Sequence, residues 1–386
     1  MNVRRAVAAL LAAAALAGCA GGTPETSSRT PDSAPGSVAG STPGSAPGTP
    51  KPLPSPTATP YGTLLVADFG GDTVTFADPD PAHRRHTLGS VEVGTAPYGL
   101  VVGDDGLAWV ATAEGVAVVD TRRRTRVARI PYRTRTGPVT TGEYRGGGMG
   151  IALAPDGRQV YVGVNVPGRR GVLEIIDTAA REVTATAPVG RRPFDVDVSP
   201  DGTEVYATGH DSFDVTAVDP ATRHTRRYEV APYGTEGGLG SWLKPHYAVV
   251  RPSDGRLLLP FEGERLVVLD PRTGRSTIRR MTADTHQHGA TITPDGTLLV
   301  VGTGPVVSGD RGPSLTVRAP DGTERVVPLD GPHEDVAVSA DGRTAYVTEG
   351  FTRDGYRDGV TVVDLTGRTR PFEIAVGARP LGIAVL

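Results

Sequence analysis

The sequence predicts an all-β protein, a seven-bladed β-propeller of four-stranded antiparallel blades, over residues 61–386. Apolar residues do not recur at helical spacing in this region, and the 51 glycines and 34 prolines of the whole chain disfavour long helices. One pattern instead repeats seven times, with a period of about 40 to 50 residues. Four short strands in such a repeat bury their faces only against neighbouring repeats, which is typical of a propeller blade.

The innermost strand of each predicted blade begins with a segment that aligns across the repeats. The seven segments span residues 97–102, 148–153, 193–198, 245–250, 287–292, 333–338 and 380–385. Six of them run into an acidic turn with glycine, such as Asp201-Gly202, where glycine supplies the positive φ of a tight connection. β-rich runs follow each turn, for example residues 160–163 and 172–177, and a fourth strand completes the unit.

The two ends of the repeat region complete each other. Residues 380–386 contain a first strand and no later ones, whereas residues 62–93 contain later strands without a first. We therefore expect the C-terminal strand to pair into the N-terminal blade. This pairing closes the ring without a covalent bond and removes free sheet edges that would template aggregation.

The repeat resembles the YVTN-type β-propeller family, whose blades read roughly P-x-x-V-A-V-S-P-D-G, then Y-V-T, then a hydrophobic strand that ends in Asp. Residues 193–206 and 335–348 match this pattern best, and the resemblance covers residues 62–386. It implies the propeller fold but not one function, because related propellers include binding proteins, lactonase-type enzymes and metal-bearing domains of denitrification reductases. Residues 244–248 resemble the Pro-His strand openings of lactonase-type propellers.

The N-terminus predicts an exported lipoprotein. Residues 1–18 combine Arg4 and Arg5 with an apolar stretch, as in a secretory signal peptide that is too short to span a bilayer. Leu16-Ala17-Gly18-Cys19 resembles the bacterial lipobox, which implies that a lipid on Cys19 anchors the mature protein to the outer side of the cell membrane. An ordinary signal peptide with an incidental cysteine is the alternative.

Composition limits what the rest of the chain can do. Residues 19–60 are rich in Pro, Ser, Thr and Gly and predict a disordered tether. The net charge is −3, and −5 without Arg4 and Arg5, which disfavours nucleic-acid binding. Cys19 is the only cysteine, so the propeller has no disulfide or cysteine metal site. Motifs of serine hydrolases, zinc proteases and nucleotide-binding proteins do not occur. We expect a monomer.

The predicted topology places every long insertion on one face of the disc. The insertions span residues 131–147, 231–245, 302–313 and 348–359, whereas the other face has tight turns such as residues 270–274. Insertions confined to one face indicate a binding face, because rigid scaffolds present function on loops. Random loop growth is the alternative.

Histidines concentrate on the same face. His246, His288 and Glu334 occupy equivalent positions in three consecutive innermost strands, and His333 precedes Glu334. These positions predict a site at a solvated channel mouth. The full candidate set is His246, His288, His333, Glu334, His286, Trp242, Tyr247 and His210. His246, His288 and His333 are the candidate ligands of a divalent transition metal, because imidazole suits such ions. A polar mouth without any ligand is the alternative.

Two functions remain open from the sequence, and a structural cell-surface propeller differs from the first of them only in its partner. The first is a membrane-anchored binding or interaction module whose loop-rich face takes a small molecule, a metal or a protein. The second is a propeller enzyme, lactonase-like or metal-dependent, that uses the histidine-lined mouth. The missing catalytic motifs favour the binding module.

Overall fold

The computed structural model describes residues 61–230, 244–261, 265–282, 287–304, 312–351 and 355–386. Within these ranges, seven four-stranded antiparallel sheets form the blades of a propeller, and no helix occurs. No helix long and apolar enough to cross a membrane is found in the same ranges. The predicted signal peptide, Cys19 and the tether lie outside the described residues.

The first four blades are numbered in chain order. Blade 1 contains β1 (Leu64–Asp68), β2 (Thr73–Ala77), β3 (Thr87–Glu92) and the C-terminal β28 (Pro380–Val385). Blade 2 contains β4 (Leu100–Val102), β5 (Leu107–Ala111), β6 (Gly115–Asp120) and β7 (Thr125–Pro131). Blade 3 contains β8 (Gly147–Leu153), β9 (Gln159–Asn165), β10 (Val172–Asp177) and β11 (Glu182–Pro188). Blade 4 contains β12 (Pro193–Val198), β13 (Val205–Gly209), β14 (Asp214–Val218) and β15 (Thr225–Glu229).

The remaining three blades follow the same order from the inside outwards. Blade 5 contains β16 (Val249–Val250), β17 (Leu257–Phe261), β18 (Arg265–Asp270) and β19 (Arg275–Arg280). Blade 6 contains β20 (Gln287–Ile292), β21 (Leu298–Gly302), β22 (Ser314–Arg318) and β23 (Glu324–Pro328). Blade 7 contains β24 (Val336–Val338), β25 (Thr344–Thr348), β26 (Gly359–Asp364) and β27 (Phe372–Ala375).

The predicted closure of the ring is confirmed. Strand β28 pairs antiparallel with β1, and Leu64 lies opposite Val385. The backbone N–H of Leu386 also donates to the Thr63 carbonyl at 2.8 Å. Blade 1 is thus assembled from the two ends of the repeat region, and its innermost strand arrives last in the chain.

The core lies between the blades. Middle strands such as β13 are buried along their whole length, whereas the outermost strand β19 is exposed along its whole length. Leu65 and Phe76 of blade 1 pack against Ala108 and Val110 of blade 2, and similar apolar clusters lie between other neighbouring blades. Burying one such large side chain contributes about 1.5–3 kcal/mol, so each blade depends on its neighbours.

The inner strands also approach each other closely near one end of the channel. Gly382 donates its N–H to the Tyr98 carbonyl at 3.2 Å, and Gly289 donates to the Glu334 carbonyl at 2.8 Å. A Cβ on Gly289 would lie 2.5 Å from the Asp335 Cα, which is too close. Because glycine at this third position of the segment has no side chain, the backbones of neighbouring inner strands can hydrogen-bond directly.

Candidate functional site

The long connection between blades 2 and 3 lies on the predicted binding face. Its residue Glu143 accepts a hydrogen bond from Arg379, which precedes β28, and Tyr144 lies over the guanidinium of Arg192, which precedes β12. This connection therefore contacts the entries to blades 1 and 4. The other three predicted insertions lie largely or partly outside the described residues.

The second residue of every inner segment lies at the channel mouth. We call these seven residues the mouth layer: Tyr98, Met149, Phe194, His246, His288, Glu334 and Leu381. Contacts across the ring bring them together, since the Tyr98 ring lies 5.5 Å from Phe194 of blade 4 and its hydroxyl lies 3.5 Å from Glu334 of blade 7. None of the seven is more than 5% exposed. The expectation of a solvated mouth is wrong, because these side chains fill the mouth.

Three of the predicted histidines form a continuous polar array within and beside this layer. His210 bonds Asp211 through Nδ1 at 2.9 Å, and its Nε2 lies 3.1 Å from Nε2 of His246. The His246 ring stacks on His288 with centroids 4.2 Å apart, and Nδ1 of His288 lies 3.1 Å from Oε1 of Glu334. We call His210, His246 and His288 the imidazole array. It spans blades 4 to 6 and has a carboxylate at each end.

Blade 4 fixes one end of the array. His210 follows β13, and its N–H donates to the Arg192 carbonyl at 3.0 Å. The Phe194 ring stacks on His210 at 5.4 Å and meets His246 edge-on at the same distance. The aromatic ring thus holds both imidazoles in place while their nitrogens face each other.

Burial controls the protonation of His210. It lowers the pKa of His210 to about 4, and the cations Arg192 and Lys244 act in the same direction, although Asp211 opposes them. Burial opposes ionisation of Asp211, but the hydrogen bond from His210 and the two cations keep the pKa of Asp211 below its usual range. A neutral His210 that donates from Nδ1 to Asp211 has an acceptor at Nε2, so His246 is the donor of the pair.

Two tyrosines surround the other end of the array. Tyr247 and Tyr98 place their hydroxyls 3.3 and 3.5 Å from Oε1 of Glu334. Burial, with the Glu334 charge as the next cause, raises the pKa of both phenols well above the ordinary value. Both hydroxyls therefore stay protonated and can donate to the carboxylate.

His333 does not join the array. Its Nδ1 lies 2.6 Å from the Gly331 carbonyl and its Nε2 lies 2.8 Å from Oγ1 of Thr361, which also bonds Glu349. The reason is its position one residue before Glu334, because neighbouring residues in an extended segment point to opposite sides. His333 therefore belongs to a buried network within blade 7.

The three candidate metal ligands are not brought around one point. His246 and His288 stack face to face with an interplanar angle of 26°, and His333 faces Thr361. Among the residues that the structure describes, no group of three or more His, Cys, Asp or Glu is placed to hold a metal ion. His286 and Trp242 lie outside these residues.

Carboxylates follow the mouth layer at the third position of two segments. Asp195 accepts the Ala248 N–H of the next blade at 2.9 Å, and Asp335 accepts the Val336 N–H at 2.8 Å. Burial raises the pKa of Asp195 to about 6 and that of Asp335 to about 8, and their mutual repulsion adds to the shift of Asp335. Asp335 is therefore largely protonated at neutral pH.

Sequence reasoning missed Tyr98, Phe194 and Asp211. Tyr98 and Phe194 share the alignment position of His246, so the repeat itself contained the signal that they meet at the mouth. Asp211 carries no such repeat signal, because it lies in the connection after β13, although it directly follows His210 in the chain.

A cavity of about 1020 Å³ lies elsewhere, between blades 5 and 6. Tight turns around Asp295 and Asp321 line it, together with Leu258 and Leu298 from the sheets, so it opens on the face opposite to the imidazole array. Of the four arginines that line it, Arg251, Arg256 and Arg318 already pair with carboxylates. None of the array residues lines this cavity.

Solved structures with a similar fold have varied functions. A hydrazine synthase from Kuenenia stuttgartiensis is 18% identical, with 80% of this chain and 94% of that chain covered and a TM-score of 0.59. A functionally unknown protein from Desulfotomaculum acetoxidans is 11% identical, with 84% and 98% covered and a TM-score of 0.61.

Virginiamycin B lyase from Staphylococcus aureus is also similar, in the structure of a catalytically inactive histidine-to-alanine variant with quinupristin. It is 16% identical, with 75% of this chain and 88% of that chain covered and a TM-score of 0.55. At such identities the likeness to all three shows the fold alone. No family model matches this chain, and no curated protein matches it.

Proposed function

We propose that this protein is a lipoprotein on the outer side of the cell membrane whose loop-rich face binds a small polar ligand over the mouth layer. The observation that carries the proposal is the imidazole array with Asp211 and Glu334 at its ends. Burying so many polar groups in one layer is costly unless they are paired. Perturbed titratable groups that cluster at one surface feature favour a functional role over a purely structural one.

The array suits ligand recognition. Each neutral imidazole has one donor and one acceptor, so a small shift of rings can change which nitrogen a ligand meets. The aromatic partners Phe194 and Tyr247 add apolar surface beside these polar atoms, which is typical of ligand sites.

The variants His246→Gln and His288→Gln test the proposal. Calorimetry against a panel of carboxylates, amino acids, sugars and lactones should find a ligand for the wild type, and each variant should bind it at least about tenfold more weakly. His224→Gln, in an exposed turn on the opposite face, is the matched control. Circular dichroism checks that each variant is folded. Equal binding by the wild type and both variants would contradict the assignment of the site.

An enzyme is the second candidate, and the His210–Asp211 pair favours it. A neutral histidine oriented by a carboxylate has the geometry of a general base. The similar virginiamycin B lyase lost activity through a histidine change, which is compatible with a catalytic imidazole in this fold. Turnover of lactones, with and without a divalent metal, that His246→Gln abolishes would support an enzyme. Binding without turnover would support the binding module.

Membrane anchoring needs its own test. The lipobox-like Leu16-Ala17-Gly18-Cys19 supports a lipid anchor on the cysteine. We expect Cys19→Ser to move the protein from the membrane fraction to the soluble extracytoplasmic fraction. A variant that stays as membrane-bound as the wild type would contradict the anchor and leave the ligand site untouched.

A further inference from the structure

We propose that the loop-rich face recognises an oxyanion, a carboxylate or phosphate group of its ligand, through a basic site formed by Arg192 and Lys244. The inference rests on the proposed function, from which it takes that a ligand binds on the loop-rich face. It adds the chemical class of the ligand, which neither the imidazole array nor the similar structures define.

Basic residues immediately precede the inner segments of three blades. They are Arg192, Lys244 and Arg379, each followed by proline. Arg192 and Arg379 have φ of 49° and 50°, in the left-handed region that residues other than glycine avoid. Gly147 occupies the same position in blade 3 with a φ of 100° and Ala96 occupies it in blade 2 with a φ of 51°. The backbone turn that all these blades share therefore forms without a long side chain. The basic side chains at this position are not needed for the turn itself.

Arg192 and Lys244 share one carboxylate. Nη2 of Arg192 lies 2.7 Å from Oδ2 of Asp211, and Nζ of Lys244 lies 3.2 Å from Oδ1. Oδ1 also accepts the hydrogen bond from His210. Both cationic side chains are largely buried, with 12% and 16% exposed. Among the described residues, two positive charges on one negative charge give this corner of the face a net positive charge.

Arg145, in the long connection between blades 2 and 3, adds a further positive charge to the loop-rich face, over the rings of Phe69 and Tyr98. It is 2% exposed, and its guanidinium donates to the Ala96 carbonyl at 2.6 and 3.1 Å and to the Gly146 carbonyl at 3.1 Å. In the described part of the chain, no carboxylate lies within 4 Å of it. Burial lowers the pKa of Arg145 only to about 10, so the group is charged at neutral pH. The carbonyl hydrogen bonds and the two aromatic rings compensate this buried charge, which contributes to the positive potential of the face rather than to direct ligand contact.

Tyr144 lies at the Arg192 end of the site. The Arg192 guanidinium lies 3.7 Å from the centroid of its ring, and Tyr144 directly precedes Arg145. The ring is 60% exposed, so this corner is accessible to a ligand. An oxyanion here would add the missing negative charge, and Lys244 has three N–H donors of which Asp211 takes one.

His210 reports on occupancy of the site. Arg192 and Lys244 help to lower its pKa, so an anion that offsets their charge must raise the pKa of His210. A neutral ligand at the same place has no such electrostatic effect. The imidazole titration, followed by NMR, therefore separates an oxyanion from a neutral ligand without any assay of activity.

The test uses citrate and inorganic phosphate as probes on the full chain, with calorimetry and the NMR titration of His210. We expect one of them to bind and to raise the pKa of His210, and Lys244→Gln to weaken binding at least about tenfold. Arg192→Gln is a second variant, with circular dichroism to check its fold. Arg272→Gln, in a tight turn on the opposite face, should bind as the wild type does.

The outcomes separate this inference from the proposed function. Binding of citrate alone assigns a carboxylate ligand, and binding of phosphate alone assigns a phosphate ligand. A neutral compound that binds in a His246-dependent way while neither anion binds would overturn the oxyanion site and leave the proposed function standing. Anion binding that Lys244→Gln does not weaken would also overturn the site. If no probe or panel compound binds, both fail.

Discussion

His210 and His246 come from adjacent blades and meet through their Nε2 atoms, 3.1 Å apart. Such a contact holds a single proton, because one nitrogen must donate and the other must accept. A second proton would place two N–H groups opposite each other. The contact is therefore intact only while at least one of the two rings is neutral, and acid should break it.

Acid should destabilise the wild type through His210. Its folded pKa of about 4 lies below the ordinary value of 6.5, so the unfolded chain takes up the proton first and stability is lost as pH falls from 6.5 to 4. We expect this loss to reach about 3 kcal/mol, and His210→Gln to lack it. Urea unfolding of both proteins at several pH values measures the difference. If the difference in unfolding free energy between the two proteins does not change with pH, the lowered pKa of His210 is contradicted.

Asp335 should lower the stability of the protein at high pH, whereas His210 lowers it at low pH. Its folded pKa of about 8 lies above the ordinary value of 3.8, so the unfolded chain releases the proton first and stability falls as pH rises between these values. The melting temperature of Asp335→Asn minus that of the wild type should therefore be larger at pH 9 than at about pH 5. Asp341→Asn, in a turn of the same blade, is the control, because the pKa of Asp341 is lowered. An equal change in both variants would refute the prediction.

Gly150 should tolerate no side chain. A Cβ there would lie 2.5 Å from the Cα of Asp195 on the next blade, so Gly150→Ala must push two inner strands apart. We expect a loss of about 1–3 kcal/mol in unfolding free energy. Gly142→Ala is the matched control, since nothing lies within 4 Å of its added Cβ. Equal stability of the two variants would show that the inner strands can separate freely.

Deletion of residues 380–386 should open the ring. It removes β28 and exposes the edge of β1, together with the buried side chain of Leu381. The expected loss is several kcal/mol, enough to unfold a domain whose total stability is roughly 5–15 kcal/mol. Removal of Leu386 alone, which breaks one hydrogen bond to Thr63, should cost far less. Thermal melting compares the two, and a shared melting temperature would refute closure through β28.

Local chemistry explains why the fold was predictable. Turns such as Ser199-Pro200-Asp201-Gly202 depend on residues a few positions apart, with Gly202 at a φ of 72° and the Ser199 hydroxyl bonded to Asp201 at 2.7 Å. Repetition of these turns sets the number of blades. The closure by β28 follows, because a blade that lacks its inner strand has no other partner for that edge.

The sequence by itself determined the ring, its closure and the shared register of His246, His288 and Glu334. Tertiary structure alone decided that Nε2 of His210 meets Nε2 of His246 and that His333 bonds Thr361 instead. The physical reason is that the array is made of contacts between different blades. Those contacts depend on the radius of the closed ring and on how neighbouring blades pack around it, which no local pattern encodes.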